Sequence, residues 1–115
     1  IDWKSNYISS STESKCIPQN YNYENMRSEM IKHHYPLQSH LYLLALHRLL
    51  KWRLKNYDPI RNLGGYVYIF LRGLPKTSVE NKFNSNKLSP GIFIGNAPLE
   101  RINYLDKLFT KGSIL

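Results

Sequence analysis

The chain has a single cysteine, Cys16, among its 115 residues. No internal disulfide can form and no Cys-x-x-Cys cluster exists, which fits a reducing, cytoplasmic setting. There is neither a signal peptide nor an apolar run long enough to span a bilayer, so no membrane partner is expected. Acidic residues are scarce. Eight Asp and Glu face sixteen Lys and Arg, for a formal net charge of +8 and a pI near 9.7. This imbalance points to a polyanionic partner, most simply nucleic acid, or else to a basic surface with no specific partner. The sequence has no GxSxG, no GxxxxGK[ST], no GxGxxG and no HExxH, and so none of the serine-hydrolase, phosphate-loop, dinucleotide or zinc-peptidase signatures. Four histidines, His33, His34, His40 and His47, are either adjacent or two helical turns apart, which is poor spacing for one metal ion. No internal repeat is found. The first residue is not Met, and the chain opens inside what reads as a strand, so a fragment or the C-terminal part of a longer protein is expected.

What is present reads as a mixed α/β pattern. Ile1 to Lys4 is the end of a strand, and the polar run from Ser9 to Lys15, prolonged by Pro18-Gln19-Asn20, is a loop. Tyr23, Met26 and Met30 recur at helical spacing from about Tyr23 to His33, with Asn22 as N-cap. From Tyr35 to Asn56 no glycine interrupts the chain and Pro36 sits in the first turn, which predicts a long helix. Leu37, Leu41, Leu44, Leu49 and Leu50 are expected inward, with Ala45, Leu46 and Trp52 widening the stripe. Asp58-Pro59 and Gly64-Gly65 read as turn or loop. Tyr66 to Leu71 is apolar on both alternating faces and predicts a central, doubly covered strand ended by Arg72-Gly73. Residues 76–89, rich in Asn and Lys, read as a surface loop. Ile92 to Ile94 predicts a short strand. Pro98 opens a last helix with Leu99, Ile102, Leu105 and Phe109 inward and Gly112 as its stop.

Three groups of residues could carry chemistry. Asp2 and Lys4 are two apart in a strand and therefore share a face. A carboxylate can bind a divalent metal, and an ammonium beside it can meet developing negative charge; the plain alternative is a weak ion pair on a solvated strand edge. Gln38 and Tyr42 lie one helical turn apart on one face. They could reach a phosphate or a metal-bound water, or Gln38 could be half exposed with the Tyr42 hydroxyl in water. Arg48, Lys51 and Lys55, three and four residues apart, form a phosphate-contacting stripe or a solvated basic face.

Three segments together resemble a known family. They are Asp2-Trp3-Lys4-Ser5-Asn6, then Tyr35 to Arg48 with its Leu44-Ala45-Leu46-His47-Arg48, then Gly64 to Gly73 with its Phe70-Leu71-Arg72-Gly73. In order and spacing they look like the C-terminal nuclease domain of RecB, the beta subunit of exodeoxyribonuclease V, the RecBCD helicase–nuclease. The likeness covers nearly the whole chain and is weakest over 76–89. The resemblance implies a PD-(D/E)xK, restriction-endonuclease-like fold: an α/β core with a mixed sheet flanked by helices, here partial and without its N-terminal strands. It implies that Asp2 is a metal-binding acid, that the Trp3 backbone carbonyl is a further metal ligand, and that Lys4 is the catalytic lysine. Gln38 and Tyr42 match the Gln-x-x-x-Tyr helix motif lining the site.

The implied cofactor is Mg²⁺, with ATP serving only the absent helicase part. The implied activity is DNA phosphodiester hydrolysis at single- and double-stranded ends, by an ATP-dependent exonuclease of recombinational double-strand-break repair. The implied partners are DNA, RecC, RecD and RecA. The family also uses a histidine, a glutamate and another aspartate upstream of the Asp-x-Lys strand. None precedes Asp2 here, so the 115-residue piece is not expected to cut DNA by itself. The alternative is an inactive remnant that acts at most as a basic DNA- or protein-binding module.

Overall fold

The computed structural model describes residues 1–9, 17–75 and 89–111. Most of the expected 9–15 and 76–89 loops, and the Gly112 stop, lie outside the described residues. In chain order the elements are β1 (Asp2–Lys4), a 3₁₀ turn (Pro18–Tyr21), α1 (Tyr23–Lys32), α2 (Tyr35–Arg53), α3 (Pro59–Asn62), β2 (Gly65–Phe70), a second 3₁₀ turn (Leu71–Gly73), β3 (Ile92–Asn96) and α4 (Leu99–Lys111). The strands form one sheet in the order β1-β2-β3, so β2 is central as its apolar sequence predicts. β1 runs parallel to β2. The Phe70 amide donates to the Gly91 carbonyl and the Ala97 amide donates to the Gly64 carbonyl, so β3 runs antiparallel to β2. The sheet is therefore mixed, as expected. The chain divides into two compact units: residues 1–33 with 67–94, and 34–66 with 95–115.

The first unit is built on the alternation of β2. Tyr68 and Phe70 project to one face and are buried, because strand side chains alternate at a period of two. Phe70 meets the ring of Tyr21, centroids 6.1 Å apart at a tilt of 50°. Tyr21 is fully buried within what reads as loop in the sequence; Pro18 instead starts a 3₁₀ turn that points the ring inward. α1 begins where expected: the Asn22 side chain accepts from the Asn25 amide at 2.9 Å, and Met26 and Met30, one turn apart, form its buried stripe. The strand ends one residue earlier than its apolar run suggests. Leu71 enters the second 3₁₀ turn and is exposed, while Gly73 lies so close to Tyr21 that no Cβ fits.

Gly91 closes this unit. Its carbonyl accepts from Phe70 and its amide donates to the Tyr21 carbonyl at 3.1 Å. Its φ is +83°, and a Cβ would stand 2.8 Å from both the Phe70 carbonyl oxygen and the Gly73 carbonyl carbon. Left-handed backbone costs a non-glycine residue about 1–3 kcal/mol before any clash. Gly91→Ala is therefore expected to cost about 2 kcal/mol or more, read as a lower urea midpoint with unchanged slope. An unmoved midpoint would refute this placement of the loop.

The second unit packs α2 against α4. Its core is Leu43, Leu44, Leu63 and Ile102, joined by Leu50, Tyr66, Ala97, Leu99 and Leu105. The buried face of α2 is Ser39, Leu43, Leu44 and His47, which differs from the expected stripe. Leu37, Leu41, Ala45, Leu46, Leu49 and Trp52 are exposed. Apolar residues occur around the whole circumference of this helix, so periodicity alone could not select a face. α2 also stops at Arg53, three residues short of the expected end, because Leu54 is already extended. Asp58-Pro59 is not a bare turn. The Asp58 carboxylate accepts from the Ile60 amide at 3.1 Å and Pro59 takes the first position of the short α3, a standard start signal. On α4 the expected inward residues Leu99, Ile102 and Leu105 are covered, but Phe109 is exposed and lies near the Arg48 guanidinium.

Candidate active site

β1 pairs with β2 in the register Asp2–Tyr68, Trp3–Ile69 and Lys4–Phe70. Partners across a ladder share a face, so Asp2 and Lys4 stand on the same side as the buried Tyr68 and Phe70, and Trp3 points the other way and is exposed. The Lys4 ammonium is 3.3 Å from Asp2 Oδ2, and their side chains are only 13% and 26% exposed. Lys4 Nζ also lies 5.4 Å from the centroid of the Tyr68 ring, within cation–π range. This is a partly dehydrated ion pair on the edge strand β1, held against the central strand β2, and not a fully solvated one. Both partners are held, and removing one leaves the other partly desolvated without its counter-charge.

Four side chains tie down the segment leaving Lys4. Arg72 Nε donates to the Ser5 carbonyl at 2.9 Å, and its guanidinium lies over Tyr7. The Tyr21 hydroxyl donates to the Asn6 carbonyl at 2.6 Å and accepts from the Ile8 amide at 3.1 Å. Asn6 Nδ2 donates to Glu29 at 3.1 Å, and Asn20 Nδ2 donates to the Ile8 carbonyl at 3.3 Å. Reading by spacing missed Tyr21 and Asn20, whose partners lie 12 to 15 residues away. The local cue was an aromatic residue three positions after Pro18, flanked by Asn20 and Asn22.

The metal that the resemblance implies can be tested against these donors. Asp2 carries a carboxylate, and Trp3 contributes a peptide carbonyl between the two site residues. These are hard oxygen donors of the kind Mg²⁺ takes, and that ion is commonly held by one or two carboxylates with water and substrate phosphate making up the rest. Among the described residues no three His, Cys, Asp or Glu side chains are grouped to hold a metal. The donor set thus fits Mg²⁺ in type and supplies its lower limit in number.

Gln38 and Tyr42 come together on α2. Gln38 Nε2 donates to the Tyr42 hydroxyl at 3.5 Å, the outer limit for such a bond. Gln38 is half-buried and Tyr42 is 60% exposed. They belong to the second unit, whereas Asp2, Trp3 and Lys4 belong to the first.

The basic stripe divides. Arg48 Nε donates to Asp106 Oδ1 at 2.6 Å, and its Nη2 reaches the Asp106 carbonyl and the Thr110 hydroxyl, so Arg48 is engaged with α4. Lys51 and Lys55 line a cavity of about 520 Å³ in the second unit, opposite Lys107 of α4. At its wall the buried His47 Nδ1 hydrogen-bonds the Tyr57 hydroxyl at 2.7 Å. Burial, and then the neighbouring Asp58 carboxylate, push the Tyr57 hydroxyl above its ordinary pKa.

No protein-family model matches the chain. Among curated proteins, RecBCD enzyme subunit RecB of Mycobacterium tuberculosis is 31% identical over 114 residues, 99% of this chain and 10% of that protein. The RecB subunit of Haemophilus influenzae is 34% identical over 109 residues, 95% of this chain and 8% of its own length. That of Escherichia coli K12 is 34% identical over 92 residues, 80% of this chain and 7% of its own length. The chain spans about a tenth of the length of the relatives it matches. Identity at this level, sustained in distantly related bacteria over almost all of the present residues, shows that the chain belongs to the RecB family.

Proposed function

We propose that this chain carries part of the phosphodiester-hydrolysing site of a RecB-type, ATP-dependent exodeoxyribonuclease that acts on DNA ends in double-strand-break repair. The core is of the PD-(D/E)xK type, with Asp2-x-Lys4 as its acid and lysine. The observation that carries this reading is the held Asp2–Lys4 pair, only 3.3 Å apart and mostly withdrawn from water on the buried face of the sheet. By the name of the relatives, a subunit of the RecBCD enzyme, the proposed partners are RecC and RecD; DNA follows from the family resemblance and the basic charge. RecA follows from the family resemblance alone.

Asp2 and the Trp3 carbonyl would hold Mg²⁺, which when bound supplies Lewis-acid polarisation of the phosphate and a more acidic water. The chain's own contribution is charge and order. As water attacks the phosphorus, negative charge grows on the phosphoryl oxygens, and the Lys4 ammonium is already turned toward the site. Asp2 on one side and the Tyr68 ring on the other limit the rotamers of the four-carbon stem, so little reorganisation is left for the reaction itself. Partial exclusion of water by Tyr68 and Phe70 lowers the local dielectric and strengthens that interaction. Gln38 and Tyr42, paired on α2 of the second unit, are proposed from the family resemblance to orient phosphate or water.

A second reading, a non-catalytic basic DNA- or protein-binding remnant, is favoured by the single carboxylate in the candidate metal set. The two readings separate in digestion of linear DNA by the full-length protein with its subunits. Asp2→Asn keeps the side-chain size and removes the metal-binding charge. It is expected to raise the Mg²⁺ concentration for half-maximal digestion by about tenfold, since ligand charge sets affinity for hard cations. An unaltered Mg²⁺ requirement and rate would remove Asp2 from the site and leave the binding-module reading.

A further inference from the structure

The second unit holds a cavity that the hydrolytic reading does not use. Lys51 of α2, Lys55 just beyond its end and Lys107 of α4 converge on it, with Asp106 the acidic residue of the lining. The Asp106 carboxylate is occupied by Arg48 at 2.6 Å, and Arg48 is not part of the lining. We infer that this cavity is a phosphate-binding site that seats a backbone phosphate of a nucleic-acid strand on Lys51, Lys55 and Lys107.

Three features lead there. The first is charge: three lysines line one cavity, and the Asp106 carboxylate that also lines it is already paired with Arg48, so an anion seated there meets a net positive wall. The second is that the wall adds no negative charge beyond the Arg48-paired Asp106. The Tyr57 hydroxyl is locked to His47 at 2.7 Å and remains protonated at neutral pH, because its burial opposes the phenolate. The third is the type of cation. Lysines are flexible point charges and do not impose the fixed fork of arginine. They suit a phosphate oxygen cluster approached from several directions and read no base edge. A cavity of about 520 Å³ admits a phosphate with its sugar. The inference rests on DNA being the ligand of this protein, but not on hydrolysis at Asp2 and Lys4.

The test is binding of a short fluorescent single-stranded oligonucleotide to the chain in EDTA, over a series of salt concentrations. Lys51→Ala/Lys55→Ala/Lys107→Ala is expected to bind about tenfold or more weakly at low salt. Its plot of log K against log salt should be shallower by about 0.7, as the loss of one phosphate contact on a single strand requires. The corresponding triple Lys→Arg variant should keep the slope. Arg27→Ala/Lys32→Ala/Arg101→Ala removes the same three charges from exposed positions outside the cavity and should keep most of the slope. Equal loss in both alanine triples overturns the inference, since diffuse charge would then explain binding. So does an unchanged slope in the cavity triple, or a cavity that takes inorganic pyrophosphate while the triple leaves oligonucleotide binding intact. All three lysines are on the surface, and far-UV circular dichroism verifies that the variants fold. Failure here leaves the Mg²⁺ titration of Asp2→Asn untouched, so the two readings fail independently.

Discussion

Lys4→Ala in the full-length protein is expected to lower the rate of linear-DNA digestion by about 10²–10³-fold, the range typical for loss of one preorganised charge-stabilising donor. The loss should fall on the chemical step. In the proposed role Lys4 meets charge that grows during attack, so single-turnover cleavage should slow far more than DNA affinity weakens. Lys4→Arg should recover only part of the rate. It restores the positive charge but exchanges a compact ammonium for a planar fork that does not fit the 3.3 Å contact with Asp2 or the position over Tyr68. The measurement is quenched-flow digestion with Mg²⁺ saturating. Full activity in Lys4→Ala would reduce the Asp2–Lys4 pair to a structural ion pair, and the proposed site would have to be abandoned.

Phe70→Ala is expected to destabilise the chain by about 3–5 kcal/mol, out of a total for a domain of this size of roughly 5–15 kcal/mol. Phe70 is completely buried and in contact with the Tyr21 ring. It is also the strand partner of Lys4, and its amide is bonded to the Gly91 carbonyl. Truncation therefore opens a cavity at the point where β1 is held against β2, and the Asp2–Lys4 geometry should loosen along with the fold. Urea unfolding followed by tyrosine and tryptophan fluorescence reads the effect. Phe109→Ala, at a position expected inward but found 45% exposed, should cost no more than about 1 kcal/mol. Comparable losses at the two positions would contradict the burial pattern.

Those two phenylalanines show where reading by pattern works and where it does not. Phe70 lies in a strand that is apolar on both faces, so its burial is local information. Phe109 falls at the right helical spacing on α4, but that spacing says only which side of the helix it shares with Leu105, not how far along the helix its neighbours extend. α2 shows the same limit more strongly. Nearly every turn of it is leucine-rich, and the side that became core was the one carrying Ser39 and His47. These two polar residues are accommodated there by Pro36 and Tyr57, through bonds of 2.8 and 2.7 Å.

The candidate site divides in the same way. That Asp2 and Lys4 share a face follows from strand geometry, and the caps of α1, the central position of β2 and the basic excess are likewise written into consecutive residues. The burial of the Asp2–Lys4 pair is a different matter. It depends on β1 finding a register 66 residues downstream, opposite Tyr68 and Phe70. Arg48 looked equivalent to Lys51 and Lys55 along the helix, yet Asp106, 58 residues away, took it out of the basic surface and Lys107 joined it instead. By itself the sequence determined the three longer helices and the strands, their order and the face that an acid and a lysine would share. Only the tertiary structure decided which charges are compensated, which line the cavity of the second unit, and how far each is exposed, because each of these depends on partners far away along the chain.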